Sequence, residues 1–221
     1  MRSWLYRKPE RYDRMLEWLH GDNVGRRFEH IARLIGPGRR VLDLGAGTCT
    51  LADYLEAGCE YVGAELNPDF RAHAAERGLE SIDLNVFAFD QYPLDVDAVV
   101  AADLLHHLVP DVTKFFAGLA RLDVGKVIVC ESYPYGARLL TRVFGPIIDN
   151  DGFNNLPARL RHHLFDEFTE ERLRREMGEV FTGWNAHFEV LTERDEPGRG
   201  KRGWDTLIAC FERLDRGEDG S

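Results

Sequence analysis

The sequence predicts an α/β protein whose mostly parallel sheet is covered by helices on both faces. Two observations support this fold class. Short β-rich runs alternate with helical segments from Arg40 to Cys130, a rhythm typical of parallel sheets with helices on both faces. A glycine loop follows the first of these runs, as in α/β folds that bind nucleotides. The length of 221 residues suits one domain with a short extension.

Two helices are expected ahead of the first strand. Apolar residues recur at helical spacing between Trp4 and Ile35. Gly21-Asp22-Asn23 interrupts this spacing, and Gly36-Pro37-Gly38 stops helix formation. Residues 1–38 are therefore interpreted as an N-terminal helical cap.

Five strands and three helices then follow in alternation. Each predicted strand is rich in β-branched or other apolar residues, and turn residues separate it from the next helix. The strands are expected at Arg40–Leu44, Tyr61–Glu65, Ser81–Asn85, Ala98–Ala102 and Lys126–Cys130. The helices between them are expected at Leu51–Ala57, Asp69–Arg77 and Val112–Leu122.

The rhythm changes after Glu131. Residues 133–168 are rich in Gly, Asn and Pro and are interpreted as an insertion that caps the substrate. Thr169 and the acidic residues after it predict the start of a helix over Thr169–Met177. A hairpin of His187–Thr192 and Thr206–Phe211 completes a domain of residues 39–214, and residues 215–221 are expected to be a disordered tail.

The chemistry is concentrated in the segment from Arg40 to Cys49, Arg-Val-Leu-Asp-Leu-Gly-Ala-Gly-Thr-Cys. Glycine lets the backbone turn sharply and approach a ligand at the carboxyl ends of the strands. Glu65 follows Gly45 by twenty residues, at the end of the next predicted strand, where a carboxylate can accept both hydroxyls of a ribose.

Two classes of nucleotide cofactor fit a glycine loop followed by an acid. A dinucleotide fold requires a small third residue in G-x-G-x-x-G/A, and Thr50 stands there instead. Asp43 would repel a pyrophosphate, whereas it suits a cationic amino-acid group. These residues favour S-adenosylmethionine over NAD.

Three segments then resemble class I S-adenosylmethionine-dependent methyltransferases. Val41–Thr48 resembles their first motif, Tyr61–Pro68 their second, and Val96–Leu108 the fourth-strand segment of small-molecule members such as those of quinone biosynthesis. Phe168-Thr-Glu-Glu-Arg-Leu is also similar to that group, so the resemblance covers Arg40–Phe211. It implies a Rossmann-like sheet of seven strands, the last of them antiparallel.

The resemblance also implies roles for individual residues at the cofactor. Asp43 and the backbone of Gly45, Ala46 and Gly47 would hold the methionine part, and Glu65 would hold the ribose, with Leu66 beside it. The remaining expected cofactor contacts are Asn85 and Val86 at the adenine, Ala102 and Asp103 at the sulfonium side, and Tyr12 in a Tyr-Asp segment that folds over the cofactor.

Two residues depart from the pattern of the family. Cys49 replaces a third glycine, so packing at that position must admit a thiol. Asn85 stands where the family usually carries an aspartate, which keeps an acceptor but loses a charge.

His106 and His107 are the candidate catalytic residues. Methyl transfer is an in-line displacement, so the protein mainly aligns the reactants and needs a base only for a hydroxyl or thiol acceptor. Histidine titrates near neutrality and suits that task, although the same pair could simply shape the site. A metal site is not expected, because Asp149, Asp151 and His162-His163 match no ligand spacing.

The expected acceptor is a small, partly apolar molecule. The net charge of −10 argues against nucleic acid, although Arg39-Arg40, Arg159–Arg161 and Arg199–Arg202 could form basic patches. An RNA or protein methyltransferase and a non-catalytic cofactor-binding protein remain open alternatives. The absence of a membrane span or export signal, and four cysteines expected to be reduced and buried, favour a cytoplasmic protein. The oligomeric state is left open.

Overall fold

The described structure, a computed structural model, covers residues 4–21, 23–93, 95–134, 169–192 and 204–214. Its seven strands are β1 (Arg40–Leu44), β2 (Glu60–Ala64), β3 (Glu80–Ile82), β4 (Ala98–Ala102), β5 (Lys126–Pro134), β6 (Trp184–Thr192) and β7 (Trp204–Arg213). The α-helices in these ranges are α1 (Pro9–His20), α2 (Asn23–Ile35), α3 (Pro68–Glu76), α4 (Leu105–Leu108), α5 (Val112–Leu119) and α6 (Glu170–Val180). Short 3-10 helices occur at Trp4–Arg7, Thr50–Asp53 and Phe89–Gln91.

All seven strands belong to one sheet in the order β3-β2-β1-β4-β5-β7-β6. The pairs from β3 to β5 are parallel, and β7 lies antiparallel between β5 and β6. This arrangement confirms the predicted Rossmann-like sheet with its last strand antiparallel. The strand order reverses between β1 and β4, and a crevice for ligands forms at the carboxyl ends of strands at such a point.

Two apolar clusters cover the two faces of the sheet, as predicted. Successive residues of a strand point to opposite faces, so Leu42 and Val99 lie in one cluster while Val41 and Val100 lie in the other. Helices α5 and α6 pack on the first face through Phe115, Phe116, Leu173 and Met177. Helix α2 packs on the second face through Ile31 and Ile35.

Most predicted element positions agree with the structure within a few residues. The predicted break between the two N-terminal helices falls between α1 and α2, and the hairpin is the antiparallel pair β6–β7. Thr169 caps α6 as expected, since its side chain accepts a hydrogen bond from the Arg172 N–H at 3.2 Å.

Two predicted elements are wrong in extent. The expected helix Leu51–Ala57 is only a 3-10 turn at Thr50–Asp53. The Cys49 carbonyl accepts the Ala52 N–H and the Leu51 carbonyl accepts the Tyr54 N–H, both in i to i+3 bonds. The strand expected to reach Asn85 ends at Ile82, since Asn85 turns the chain by accepting from the Phe87 N–H at 2.9 Å.

The expectation that the cysteines are buried is correct for three of the four residues. All four cysteines lie in the described part of the chain and none forms a disulfide. Cys49, Cys130 and Cys210 are buried, whereas Cys59 is half-buried and donates to the Gly36 carbonyl.

None of the helices in the described ranges has the length and hydropathy of a membrane span. The predicted insertion lies outside the described residues apart from its first two, and the 215–221 tail lies outside them entirely.

Two helical glycines provide a matched test of packing. A Cβ added to Gly118 in α5 would lie 2.0 Å from Cζ of Phe89, whereas a Cβ at Gly178 in α6 would meet nothing within 4 Å. Phe89 packs among other aromatic rings and has little room to move. We expect Gly118→Ala to lower the free energy of unfolding by roughly 1–3 kcal/mol through overpacking.

Gly178→Ala is the control and should raise the free energy of unfolding by roughly 0.5–1 kcal/mol, because alanine loses less backbone entropy in a helix. Urea unfolding of both variants measures the difference. Equal effects of the two substitutions would contradict the packing of Phe89 against α5.

Candidate active site

A cavity of about 430 Å³ lies at the carboxyl ends of β1, β2 and β4. Its volume is in the range of pockets that enclose small molecules. The wall combines residues of the N-terminal segment, the glycine loop, the end of β2, the turn after β3 and the segment after β4. These lining residues are Tyr6, Tyr12, Gly45, Gly47, Ala64, Glu65, Leu66, Asn67, Phe70, Leu84, Asn85, Val86, Phe87, Asp103, Leu104, His107, Leu108, Val109, Pro110 and Asp111.

The two glycines of the loop are required by backbone conformation and by close contact. Gly45 and Gly47 have φ values of +67° and +55°, a region that side chains disfavour. A Cβ at Gly45 would lie 2.8 Å from Leu104, and a Cβ at Gly47 would lie 3.4 Å from the Tyr12 ring. The loop therefore leaves room where a side chain would intrude on the cavity wall.

Glu65 holds the loop against the end of β2. Its Oε2 accepts the Gly47 N–H at 2.9 Å, and its Oε1 accepts the Asn67 N–H at 2.7 Å. The carboxylate thereby joins the glycine loop to the first turn of α3, where the Asn67 side chain caps the helix. Two charge-assisted bonds fix the orientation of a carboxylate that lines the cavity.

Asp43 lies behind the glycine loop and does not line the cavity. It is 4 % exposed, and its Oδ2 accepts the Tyr61 hydroxyl at 2.8 Å. Burial raises the pKa of Asp43 to about 7, with a smaller opposing effect of the Tyr61 hydrogen bond. A direct hold of Asp43 on the methionine part stays a prediction.

Cys49 occupies a position that favours glycine. Its φ and ψ of 60° and 37° are left-handed, and its thiol is fully buried. Space for the thiol comes from the neighbouring strand: a Cβ at Gly63 would lie 3.1 Å from Cys49 Sγ. Gly63 therefore accommodates the departure from glycine, although the left-handed backbone still carries a cost.

Helix α1 is fastened over the loop. The Tyr12 ring lies over Gly47 and packs on Phe70, with 5.1 Å between ring centroids. The Thr48 hydroxyl donates to Asp13 at 2.6 Å. In the preceding 3-10 helix, the Tyr6 carbonyl accepts from the Asn67 side chain at 2.8 Å. The Tyr-Asp segment thus contacts the glycine loop, and Tyr12 forms part of the cavity wall.

The turn after β3 closes another side of the cavity. Asn85 is exposed, and its side-chain oxygen already accepts the Phe87 N–H. Val86 is buried, and its carbonyl accepts the Tyr92 hydroxyl at 2.7 Å. Both residues line the cavity where the sequence places the adenine, but the Asn85 oxygen would have to serve the turn and the ligand together.

Asp103, after β4, is held by a buried arginine. Arg27 Nη1 of α2 lies 2.9 and 2.7 Å from the two carboxylate oxygens of Asp103 and donates to Ser132 Oγ at 2.8 Å. Burial by itself lowers the pKa of Arg27. Nearby anionic groups, chiefly Asp103, raise the pKa by more than burial lowers it, so the guanidinium stays charged. Asp103 itself adopts a φ of +49°, so the ion pair secures a strained residue at the cavity wall.

The two histidines after β4 lie against each other but differ in their partners. His106 Nδ1 lies 2.8 Å from Oε1 of Glu131, a residue of β5 that is 1 % exposed. His107 lines the cavity, and its ring centroid lies 4.2 Å from that of His106. The two side chains therefore connect a buried carboxylate to the cavity wall.

The structure brings most of the predicted cofactor contacts together around one cavity. Tyr12, Gly45, Gly47, Glu65, Leu66, Asn85, Val86 and Asp103 line it, as does the candidate His107. Asp43, Ala46, Ala102 and His106 are not part of this wall.

Sequence reasoning missed Arg27 and Glu131. Arg27 lies four residues before Ile31 and eight before Ile35, on the apolar face of α2, which is an unusual place for a charge. Glu131 directly follows the apolar run of β5, so it had only the signal of a strand-end acid. Their partners lie 76 and 25 residues away in the chain, which no local pattern indicates.

No metal site is found within the described residues, since no group of three or more His, Cys, Asp or Glu side chains converges there. Asp149, Asp151 and His162-His163 lie outside those residues.

Comparison with known proteins identifies a family that matches part of the chain. A methyltransferase domain family matches residues 42–122, which include the glycine loop, Glu65 and both histidines. No curated protein matches the chain in sequence.

Solved methyltransferases share the fold at low identity. A chain from the complex of the Haloferax volcanii Trm112 methyltransferase activator with a methyltransferase aligns with a TM-score of 0.66 and 15% identity, over 96% of this chain and 98% of that one. An S-adenosylmethionine-dependent methyltransferase from Archaeoglobus fulgidus aligns with a TM-score of 0.61 and 14% identity, over 91% of this chain and 99% of that one.

Phosphoethanolamine N-methyltransferase 2 from Haemonchus contortus, in complex with S-adenosyl-L-methionine, aligns with a TM-score of 0.61 and 16% identity. It covers 89% of this chain, which spans only 55% of the Haemonchus chain.

The sheet order and the family match together define the fold class: the chain has a methyltransferase-type fold, and a methyltransferase domain family matches residues 42–122 of it. Two of these solved structures are described as S-adenosylmethionine-dependent or contain S-adenosyl-L-methionine, and they share this fold.

The raised pKa of Asp43 predicts a pH dependence of stability. An aspartate whose pKa is higher in the folded state than its ordinary value of 3.8 binds more protons when folded, so its contribution is greatest in acid and is lost as the pH rises from about 4 to about 7. Asp43→Asn cannot ionise. Between pH 5 and pH 8 we expect its free energy of unfolding to gain roughly 2–3 kcal/mol relative to the wild type.

Urea unfolding at both pH values measures this gain, and Asp90→Asn at an exposed aspartate is the control. A difference between Asp43→Asn and the wild type that does not change with pH would show that the Asp43 carboxylate is ionised throughout.

The Arg27–Asp103 ion pair predicts a large coupling free energy between these two side chains. Arg27→Met leaves the Asp103 carboxylate without its buried partner, so we expect a loss of roughly 3 kcal/mol in the free energy of unfolding. Arg27→Lys keeps the charge and should lower the free energy of unfolding by less. Arg33→Met, at an exposed position of the same helix, is the control and should change the free energy of unfolding little.

A double-mutant cycle of Arg27→Met with Asp103→Asn measures the coupling. Additive losses would contradict the ion pair.

Proposed function

We propose that this enzyme transfers a methyl group from S-adenosylmethionine to a small, partly apolar acceptor. The observation that carries this proposal is the cavity itself: about 430 Å³, bounded by the glycine loop on one side and covered by the N-terminal segment on another. S-adenosylmethionine, when bound, supplies a methyl group activated by a positively charged sulfur. An acceptor would have to reach this methyl group inside a covered site, which suits a small molecule.

The charge of the cavity wall supports a cationic cofactor. Glu65, Asp103 and Asp111 contribute carboxylates, and among the described lining residues there is no lysine or arginine. A pyrophosphate would be repelled by such a wall, whereas a sulfonium and an ammonium group would be attracted. The dinucleotide alternative therefore finds no support in the described wall.

The proposed roles of the residues follow from where they lie. Glu65 would accept the ribose hydroxyls with a carboxylate that two backbone N–H groups already orient. Asp43, Ala46 and the loop glycines would shape the place of the methionine part, and Ala102 with Asp103 would lie at the sulfonium side. Leu66 would lie beside Glu65 at the ribose, Asn85 and Val86 would contact the adenine, and Tyr12 would cover the ligand.

The distribution of basic residues disfavours a nucleic-acid acceptor. Arg39 lies 3.8 Å from Asp97, and Arg40 pairs with Asp95 and with Glu60, so this basic pair is surrounded by carboxylates. The other two basic runs, residues 159–161 and 199–202, lie outside the described residues. A resemblance to quinone-biosynthesis enzymes remains a prediction about the acceptor.

Calorimetry with S-adenosylhomocysteine tests the cofactor site. Glu65→Ala removes an oriented, charged hydrogen-bond acceptor, so we expect binding to weaken about tenfold to hundredfold. Glu60→Gln changes a carboxylate at the opposite end of the same strand and should bind like the wild type. Equal affinity of Glu65→Ala and the wild type would remove Glu65 from the site.

Transfer of labelled methyl groups identifies the acceptor class. The protein is incubated with methyl-labelled S-adenosylmethionine and separate small-molecule, RNA and protein fractions. Label in the small-molecule fraction supports the proposal, and label in RNA or protein overturns the proposed acceptor while the cofactor assignment stands. No transfer to any fraction would favour a non-catalytic binding protein.

A further inference from the structure

One long edge of the sheet has no partner strand in the described part of the chain. The strand order leaves β3 and β6 at the two ends of the sheet. β3 has only three residues, whereas β6 has nine, from Trp184 to Thr192. A long edge strand presents a row of backbone N–H and C=O groups that can pair with another strand.

The sequence of β6 lacks the features that usually protect an edge strand. Proteins block such edges with proline, lysine or a bulge. Trp-Asn-Ala-His-Phe-Glu-Val-Leu-Thr contains no proline, lysine or arginine, and its pairing with β7 advances residue by residue without a bulge. Asn185, Ala186 and His187 are exposed, so this part of the strand is open to solvent.

The backbone bonds at the start of β6 show which way its groups point. The Arg213 N–H donates to the Gly125 carbonyl at 3.0 Å, on the β5 side of β7. Trp184 is opposite Arg213 in the β6–β7 register, and its own N–H donates to the Phe181 carbonyl at 3.3 Å. The backbone groups of Trp184 therefore point away from β7.

Every second residue of β6 shares the direction of Trp184. The N–H and C=O groups of successive residues in a strand point to opposite sides, so alternate residues bond to β7 and the others form the outer edge. The outward-pointing residues in the middle of the strand are Ala186, Phe188 and Val190.

A second copy of the same strand fits this edge best in one antiparallel register. Two copies related by a two-fold axis exchange bonds between their outward-pointing residues. With the axis at Phe188, the full length of β6 is paired, and Trp184 lies opposite Thr192 of the second copy. Any other axis leaves residues at one end of the strand without a partner.

The charges of β6 favour the same register. With the axis at Phe188, His187 of each copy lies opposite Glu189 of the other, at a non-hydrogen-bonded position, where side chains are closest. His187 keeps 65 % of its side chain exposed and lies 3.9 Å from Glu189 of its own chain, beyond hydrogen-bond distance. An axis one residue away would place two copies of His187 or of Glu189 opposite each other, and like charges there are destabilising.

Glu189 has a carboxylate oxygen available for this contact. Its Oε2 lies 2.9 Å from Nε2 of His30 in α2, which holds the side chain on that face of the sheet. No described residue donates a hydrogen bond to its Oε1, and 40 % of the side chain is exposed. A donor from His187 of a second copy can therefore bind Oε1 without displacing His30.

We propose that β6 is a dimerisation edge, where a second copy of this chain pairs antiparallel about an axis at Phe188 and joins the two sheets into one. The interface is isologous, so each copy contributes the same contacts. The His187–Glu189 contact consequently occurs twice in the dimer. The dimer requires neither a cofactor nor a methyl acceptor, so its failure would leave the proposed function untouched.

The first experiment compares two substitutions at Ala186 by analytical ultracentrifugation of the full-length protein. The wild type should sediment as a dimer that dissociates on dilution. Ala186→Pro removes an outward N–H while the β6–β7 bonds remain. One bond per copy is lost, so the dissociation constant should rise at least about tenfold.

Ala186→Thr is the matched control, because threonine keeps the N–H and suits a strand; it should dimerise like the wild type. Urea unfolding of both variants shows whether they are folded. A folded Ala186→Pro that dimerises as tightly as the wild type would overturn the proposal, as would a wild type that stays monomeric at its highest soluble concentration.

The second experiment tests the register by opposite charges at one exposed position. His187→Lys places a cation opposite Glu189 of the other copy, whereas His187→Glu places a second carboxylate there. Because the contact occurs twice, we expect the dissociation constant of His187→Glu to exceed that of His187→Lys at least about fivefold. Equal constants would overturn the axis at Phe188.

Hydrogen exchange measured by NMR distinguishes a second copy from another segment of the same chain. The outward amides of Ala186, Phe188 and Val190 should exchange slowly above the dissociation constant and rapidly below it. Slow exchange that persists on dilution, in a protein with the mass of one chain, would mean that the chain covers its own edge, and the dimer would be overturned.

Discussion

The candidate site depends on the carboxylate of Glu65 more than on any other single contact. It accepts the N–H of Gly47 and the N–H of Asn67, and thereby ties the glycine loop to the beginning of α3. The N–H groups of Gly45 and Ala46 donate to the Ala64 carbonyl, whereas the N–H of Gly47 has the Glu65 carboxylate as its partner, and leaving that group buried and unpaired would be costly. The same two bonds orient the acid that faces the cavity, so the shape of the loop and the orientation of Glu65 have one cause.

Charge pairing across the strand ends is the second constraint. Parallel strands place their carboxyl ends at one edge, and Asp103 after β4 and Glu131 in β5 bring negative charge there. Each is paired by a side chain from a helix: Arg27 from α2 and His106 from α4. Fixed charges of this kind are oriented before a ligand arrives, which is the condition under which electrostatics assists a reaction.

The alternation of elements was predictable because it depends on local patterns. Period-two and helical periodicities lie within short windows, and Thr169 caps its helix through a bond to Arg172 only three residues away. The helix expected over Leu51–Ala57 was wrong because the segment forms i to i+3 bonds, from Ala52 N–H to Cys49 and from Tyr54 N–H to Leu51, and ends as a short 3-10 turn. The strand expected to reach Asn85 was wrong because one side-chain turn competes with the sheet.

The residues of the candidate site also differ in whether a local pattern indicates them. Gly45, Gly47 and Glu65 could be predicted, because a required backbone conformation and a fixed separation leave a mark in the chain. Arg27 and Glu131 could not, since a buried charge has meaning only with its partner.

The sequence by itself determined the class of fold, the glycine loop and the acid at the end of β2, because backbone geometry and strand spacing restrict which residues can stand there. Tertiary structure alone decided that Asp43 lies behind the loop, that Gly63 admits the thiol of Cys49, and that His106 is bound to a buried carboxylate while His107 faces the cavity. These outcomes depend on groups distant in the chain that come together only when the sheet and its helices have packed.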